Sequence, residues 1–170
     1  MDKLGKLMTI LSLSTFSALG FGGDNAEDGG VTAAAETAAA SKDQFEKRLS
    51  TYQERLANND LEGILDLYSS DPVFMPEYAP PAVGRDAVRK AYEWVFGTLK
   101  LKGRFIVQEA EVIGDTAWVR TSSTGRFTVL ATGMEGDVAN SELFVLKRQN
   151  NAWKIHRYIF TSAAPPPAAK

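Results

Sequence analysis

The stretch VANSELFVLKRQNNAWKIHRYIFTS, residues 138–162, decides the fold of this 170-residue chain. Two apolar-rich runs, 138–149 and 152–162, flank Asn150-Asn151, a residue pair that tolerates positive φ and closes tight hairpins. Strands joined so briefly must be antiparallel. Further back the pattern repeats: runs 102–113 and 116–130 flank Gly114-Asp115, and a looser connection with Gly133, Glu135 and Gly136 precedes residue 138. Four consecutive antiparallel strands therefore fill the second half of the chain.

Alternation assigns the faces of the last two strands. In 152–162, Trp153, Ile155, Arg157 and Ile159 fall on the inner side, and Lys154, His156, Tyr158 and Phe160 on the outer. On the neighbouring strand Glu142 shares its face with Phe144 and Leu146. A buried Arg requires a partner. Glu142 is the natural partner for Arg157, as a structural pair, an anion clamp or both.

Upstream of the strands the period changes. Phe45, Leu49, Tyr52 and Leu56 recur at helical steps with charged residues between them, and Leu61, Ile64, Leu65 and Tyr68 repeat the stripe after Asn58-Asn59-Asp60. Asp60 is the expected N-cap of the second helix. Asp71-Pro72 stops it, 73–75 reads as a short strand, and Pro76, Pro80 and Pro81 enforce a loop. A third helix follows Gly84, with Val88, Ala91, Tyr92, Val95 and Leu99 on one side. Helices followed by an antiparallel sheet predict an α+β layer fold in which the curved sheet wraps the first and third helices.

The chain is 44% hydrophobic and 24% charged, which supports one core and leaves no room for a second full domain. A net charge of −2 carries no basic footprint for nucleic acid. With no Cys and a single histidine, His156, thiolate and multi-imidazole metal sites are excluded, and no metal or other cofactor is expected. Residues 1–23 begin with Lys3 and Lys6, continue through an apolar run and end in small residues, the order of a secretory signal, with Ala18 and Gly20 suited to a cut ahead of Phe21. Asp2 and the serines within the run argue the other way. The expectation is a periplasmic or secreted protein if the segment is cleaved and a cytoplasmic one otherwise, without stable membrane insertion. Residues 1–42 thus read as a signal-like segment and linker, 43–162 as the domain, and 163–170, with Pro165, Pro166 and Pro167, as a disordered tail.

Three strings, YQERLANNDLEGI (52–64), LYSSDPV (67–73) and GRDAV (84–88), resemble the opening of ketosteroid isomerase and its SnoaL-like relatives. WKIHRYIF (153–160) is similar to the last strand of uncharacterised single-domain members of the same nuclear transport factor 2-like superfamily. The resemblance implies a cone-shaped, cystatin-like arrangement of curved antiparallel sheet around the N-terminal helices. It also implies that Tyr52 stands where the isomerases carry their oxyanion tyrosine and Glu142 near their second oxyanion donor. The position of the isomerase base reads Pro76, which accepts no proton, so the steroid-isomerase reaction is disfavoured. Glu77 is the next carboxylate along and is expected to face water.

Each candidate has a plainer reading. Tyr52 lies on a core stripe, Phe74, Tyr78, Trp94 and Phe96 read first as core, and Tyr78 and Trp94 beside the proline-rich loop are reasonable mouth residues. His156 and Arg120 are expected on the outer face. The leading expectation is a dimeric domain whose aromatic-lined pocket binds an apolar or weakly acidic organic molecule, with possible isomerase- or hydrolase-type turnover. Tyr52 and Glu142 would be its hydrogen-bonding groups, Arg157 its anchor, and Phe74, Tyr78 and Trp94 its walls. The alternative is a non-catalytic module in which Trp118, Tyr158 and Phe160 on the outer sheet face dock a second copy or a partner.

Overall fold

The computed structural model describes residues 28–163, with side chains from residue 42 onward; the signal-like segment and nearly all of the tail lie outside the described residues. Helix α1, Asp28–Ala57, starts within the Ala-rich stretch that reads as a linker, and buries Phe45, Leu49 and Tyr52. The turn at Asn59, with φ 53°, leads to α2, Leu61–Leu67. Asp60 caps it: a carboxylate oxygen accepts from the Gly63 N–H at 2.9 Å, satisfying one of the orphan donors of the first turn. Tyr68 does not continue the α2 stripe. Its backbone is extended, and it begins strand β1, Tyr68–Met75, because Pro72 is incompatible with a continuing helix.

The remaining elements are β2 (Ala82–Val83), α3 (Arg85–Thr98), β3 (Leu99–Ile113), β4 (Thr116–Val129), β5 (Glu135–Gln149) and β6 (Ala152–Ser162). The β5–β6 hairpin closes through Asn150 and Asn151 at φ 51° and 59°, the double positive-φ turn that this residue pair favours. The six strands form one curved, unclosed sheet in the order β2-β1-β6-β5-β4-β3. All neighbours are antiparallel except β1 and β6, which run parallel. That pairing joins the two ends of the domain, and the long intervening chain makes a parallel crossover possible. Helices α1 and α3 pack on the sheet, α1 mainly along β3 and α3 along β1 and β2.

Two devices bend the sheet. Gly103 and Gly125 face each other across β3 and β4, and a Cβ on Gly125 would lie 2.2 Å from the Lys102 carbonyl oxygen, so the two backbones approach as only glycine allows. The second device is a set of bulges. On β3, Gln108 is the extra residue between the pairs Val107–Thr121 and Glu109–Arg120. On β6, His156 is the extra residue between the pairs Leu146–Ile155 and Val145–Arg157.

The His156 bulge corrects the face assignment of the last strand. Strict alternation puts Arg157 and Ile159 inside and Tyr158 and Phe160 outside. One inserted residue shifts the phase, so every side chain beyond it changes face. Ile155 is fully buried, Tyr158 is buried and stacked on Phe144 with ring centroids 4.1 Å apart, and Ile159 is 43% exposed. Arg157 lies opposite Val145 and Val73 on the outer side, and its guanidinium donates to the carbonyl oxygens of Asp71 at 2.9 Å and of His156 at 2.8 Å. It does not pair with Glu142. His156 is itself buried, not exposed as expected from the pattern.

Candidate active site and ligand cavity

Between the helices and the concave face of the sheet lies a cavity of about 690 Å³. Its position follows from residue size. Where β3 and β4 bend at Gly103 and Gly125 no side chain fills the concave face, while Phe105, Phe127 and Phe160 stand around the space left. Tyr52 from α1, Tyr92 from α3 and Tyr158 from β6 form the deep wall.

Two polar groups of atoms meet in this apolar setting. The first is a hydroxyl chain: the Tyr92 hydroxyl lies 2.7 Å from that of Tyr52 and 2.8 Å from that of Tyr68, all three rings being buried. Burial is the largest cause holding each of these phenols well above the usual tyrosine range, with the neighbouring tyrosines adding to it. All three therefore stay protonated. Three hydroxyl protons serve only two hydrogen bonds within the chain, so one proton is left for a further acceptor.

The second is Glu142 on β5, only 4% exposed. Thr121 stands directly opposite it on β4 and donates to one carboxylate oxygen, while Ser123 donates to the other at 2.6 Å. Asn140 donates to Ser123 at 3.4 Å. Burial raises the Glu142 carboxyl above the ordinary glutamate value, and the Ser123 and Thr121 hydroxyls oppose that shift only in part. Among the described residues, no Lys, Arg or His forms an ion pair with it.

Of the residues singled out from the sequence, Tyr52, Phe74, Tyr78, Trp94 and Glu142 all border this one cavity. Phe74 is buried, whereas Tyr78 is 96% and Trp94 64% exposed, so these two stand at the mouth and neither is a core residue. Arg157, expected as the anchor, does not border it. Pro76 does, so no proton acceptor occupies the position that the resemblance gives to a base. Glu77 lines the rim, half-buried, with its carboxylate engaged by the end of β6: Ser162 N–H donates at 2.7 Å and the Thr161 hydroxyl at 3.3 Å.

Thr121, Ser123 and Tyr158 escape a reading by alternation alone. Ala117, Val119, Thr121 and Ser123 do share one face of β4, which is a visible pattern, but their meeting with Glu142 depends on cross-strand register. Tyr158 was hidden by the bulge.

Ser69, His156 and Asp71 form a separate cluster at the β1–β6 junction. The Ser69 hydroxyl lies 3.1 Å and an Asp71 carboxylate oxygen 3.4 Å from the same imidazole nitrogen, Nδ1, and Ser69 is fully buried. A nucleophile–base relay needs the serine and the acid on opposite ring nitrogens and an accessible hydroxyl, so this cluster is structural. Burial chiefly, then the Arg157 charge, lowers the His156 pKa, and Asp71 acts against them. Among the described residues no group of three or more His, Asp or Glu side chains is arranged to hold a metal ion, and no helix is long and apolar enough to cross a membrane.

The family model for the SnoaL-like domain matches residues 49–155. Among solved structures, a ketosteroid isomerase-like protein from Erwinia carotovora atroseptica SCRI1043 is similar at 29% identity and a TM-score of 0.66, covering 71% of this chain and 94% of its own. A nuclear transport factor 2-like superfamily protein from Salmonella enterica serovar Typhimurium LT2 aligns at 14% identity and a TM-score of 0.65, over 78% of this chain and 97% of its own. A domain with a cystatin-like fold from Nostoc punctiforme aligns at 14% identity and a TM-score of 0.58, over 75% and 80%. The last two speak for the fold alone. No curated protein matches the chain.

Proposed function

We propose, because this chain belongs to the SnoaL-like domain family, that its cavity binds one small apolar organic molecule, with Tyr52 and Glu142 as hydrogen-bonding groups, Phe74 in the wall and Tyr78 and Trp94 at the mouth. The observation that carries this reading is a cavity of about 690 Å³ walled by aromatic rings, with its buried polar groups gathered in two places. That size and that division of apolar wall from a few convergent polar groups are what small-molecule sites share. Binding is better supported than isomerase turnover, since Pro76 stands where a base would be needed and Glu77 is held by β6. A protonated Glu142 or the Tyr52 hydroxyl can donate to a ligand oxygen; neither supplies a base on the opposite side of a substrate.

Thermal-shift screening against steroids, polyketide-like aromatics and small amines is expected to find ligands that raise the melting temperature in a concentration-dependent way, by about 2.7 kcal/mol of added stability at a hundredfold excess over Kd. Trp94→Ala and Phe74→Leu should weaken the same ligands. A panel in which no compound shifts the melting temperature removes the reading.

A second reading concerns the outer sheet face. The register brings Arg120, Leu143 and Ile159 into one row across β4, β5 and β6, and Ile106, Leu143 and Ile159 are each at least 40% exposed. We propose that this face joins two copies of the chain. Leu143 and Ile159, with half-buried Trp118, replace Tyr158 and Phe160 as the contact residues. Sedimentation velocity is expected to show a dimer that Leu143→Asp converts to monomer; a monomer at all concentrations excludes it.

A further inference from the structure

We infer that the occupant of this cavity is an organic cation, an apolar amine or quaternary ammonium whose positive charge is held by Glu142 among the rings of Tyr52, Tyr92 and Tyr158. The inference rests on the cavity being a binding site and adds the charge and class of what it takes.

Three observations lead there. Glu142 is 4% exposed and carries no cation partner among the described residues, although buried carboxylates are as a rule either paired or neutralised by a proton. Its hydrogen bonds are also polarised toward the ionised form. Asn140 donates to the Ser123 oxygen, so the Ser123 proton is directed at Glu142, and Thr121 donates to the second oxygen. Two accepted bonds leave lone pairs on both oxygens turned to a positive charge arriving from the cavity.

The walls fit the same ligand class. Tyr52, Tyr92, Tyr158 and Phe160 border the cavity, and those of their ring faces not stacked on Phe144 or Phe74 attract cations, most strongly when the cation is shielded from water. The turning of Arg157 to the outer side removes the cation expected from the sequence to anchor an acidic ligand inside. Lys102 and Arg126 border the cavity from its exposed edge, and Arg126 is engaged by Glu135 at 3.0 Å and Asp137 at 3.9 Å. A ligand carboxylate would instead meet Glu142 at like charge. The groups facing Glu142 from the packed elements are Tyr52 on α1, Thr121 and Ser123 on β4 and Tyr158 on β6; none brings a positive charge.

The test compares benzyltrimethylammonium with neopentylbenzene, its uncharged isostere of the same shape, and with phenylacetone, a neutral carbonyl compound. Equilibrium binding to the full chain is followed by tryptophan fluorescence or ligand-observed NMR. The ammonium is expected to bind at least about tenfold tighter than neopentylbenzene, a margin typical of a desolvated cation among aromatic rings. Glu142→Gln should abolish that margin, and an unchanged far-UV circular dichroism spectrum with a cooperative unfolding transition shows that the variant is folded. In the wild type, affinity for the ammonium should rise with pH through the raised Glu142 titration and then level off, since the probe does not titrate and the carboxylate is its partner. Neopentylbenzene should show no such rise.

Equal binding of the ammonium and its isostere, or a pH-independent ammonium affinity, overturns the inference while leaving the cavity a binding site. Tighter binding of phenylacetone than of the ammonium overturns it in favour of Glu142 as a hydrogen-bond donor. Failure of all three probes to bind overturns the inference together with the reading it rests on.

Discussion

Replacing Gly125 with alanine is expected to destabilise the domain by about 3 kcal/mol or more, at or above the upper end of ordinary overpacking. The reason is the identity of the atoms that the new methyl group meets. They are the Lys102 carbonyl oxygen at 2.2 Å, the Gly103 Cα at 2.5 Å and the Lys102 carbonyl carbon at 2.9 Å, all backbone. A clash with a side-chain tip is relieved by a rotamer change; this one is relieved only by separating β3 from β4 at the bend that opens the cavity. For a domain of this size the loss corresponds to a fall in melting temperature on the order of 10 °C.

Two control substitutions isolate the cause. At Gly103 the nearest contact is the Thr124 carbonyl oxygen at 3.2 Å, so Gly103→Ala should cost less than about half as much. At Gly136 the methyl group would meet the Phe127 ring edge at 2.6 Å, a side chain that is able to swing away, so Gly136→Ala should also be the milder change. Urea denaturation of the three variants gives the order directly. If Gly125→Ala unfolds at the wild-type midpoint, the bend does not depend on the glycine pair.

The second large effect tests the phase of the last strand. Tyr158→Ala is expected to cost about 3–5 kcal/mol, the range for removing a large aromatic from a core. Tyr158 is 4% exposed, lies 4.1 Å from the Phe144 ring at an angle of 7° and 5.3 Å from Phe74, and borders the cavity. Arg157→Ala, one position away, should cost about 1 kcal/mol or less, because its partners are two backbone carbonyl oxygens near solvent rather than a buried carboxylate. Unbroken alternation predicts the reverse order, since it buries Arg157 and exposes Tyr158. Equilibrium unfolding of the two variants therefore decides between a bulge at His156 and a regular strand. A milder effect at Tyr158 than at Arg157 would show the strand to be regular.

Local chemistry determined a large share of this molecule. Helical spacing identified the buried faces of α1 and α2, Asp60 was recognisable as a cap, Asn150-Asn151 as a tight turn, and the short connections as antiparallel hairpins. These features depend on steric and hydrogen-bonding preferences acting within a few residues, and such preferences survive without knowledge of distant neighbours. The order of helices and strands then left few layer arrangements open.

The cavity required more than that. Tyr52, Phe74 and Glu142 were identifiable as inward residues, but the chain of tyrosine hydroxyls joins α1, α3 and β1, and the Glu142 cluster joins β4 to β5. No local rule states which residue faces which across a sheet. Arg157 is the sharpest case. Its side depends on whether one residue before it pairs or bulges, and His156 bulges where β6 lies between β5 and its parallel partner β1, with Ser69 taking the imidazole nitrogen. An interval-two pattern carries no record of such an insertion; packing of the whole sheet selects the phase, because only one phase buries Tyr158, turns Phe160 toward the core and leaves Arg157 near water.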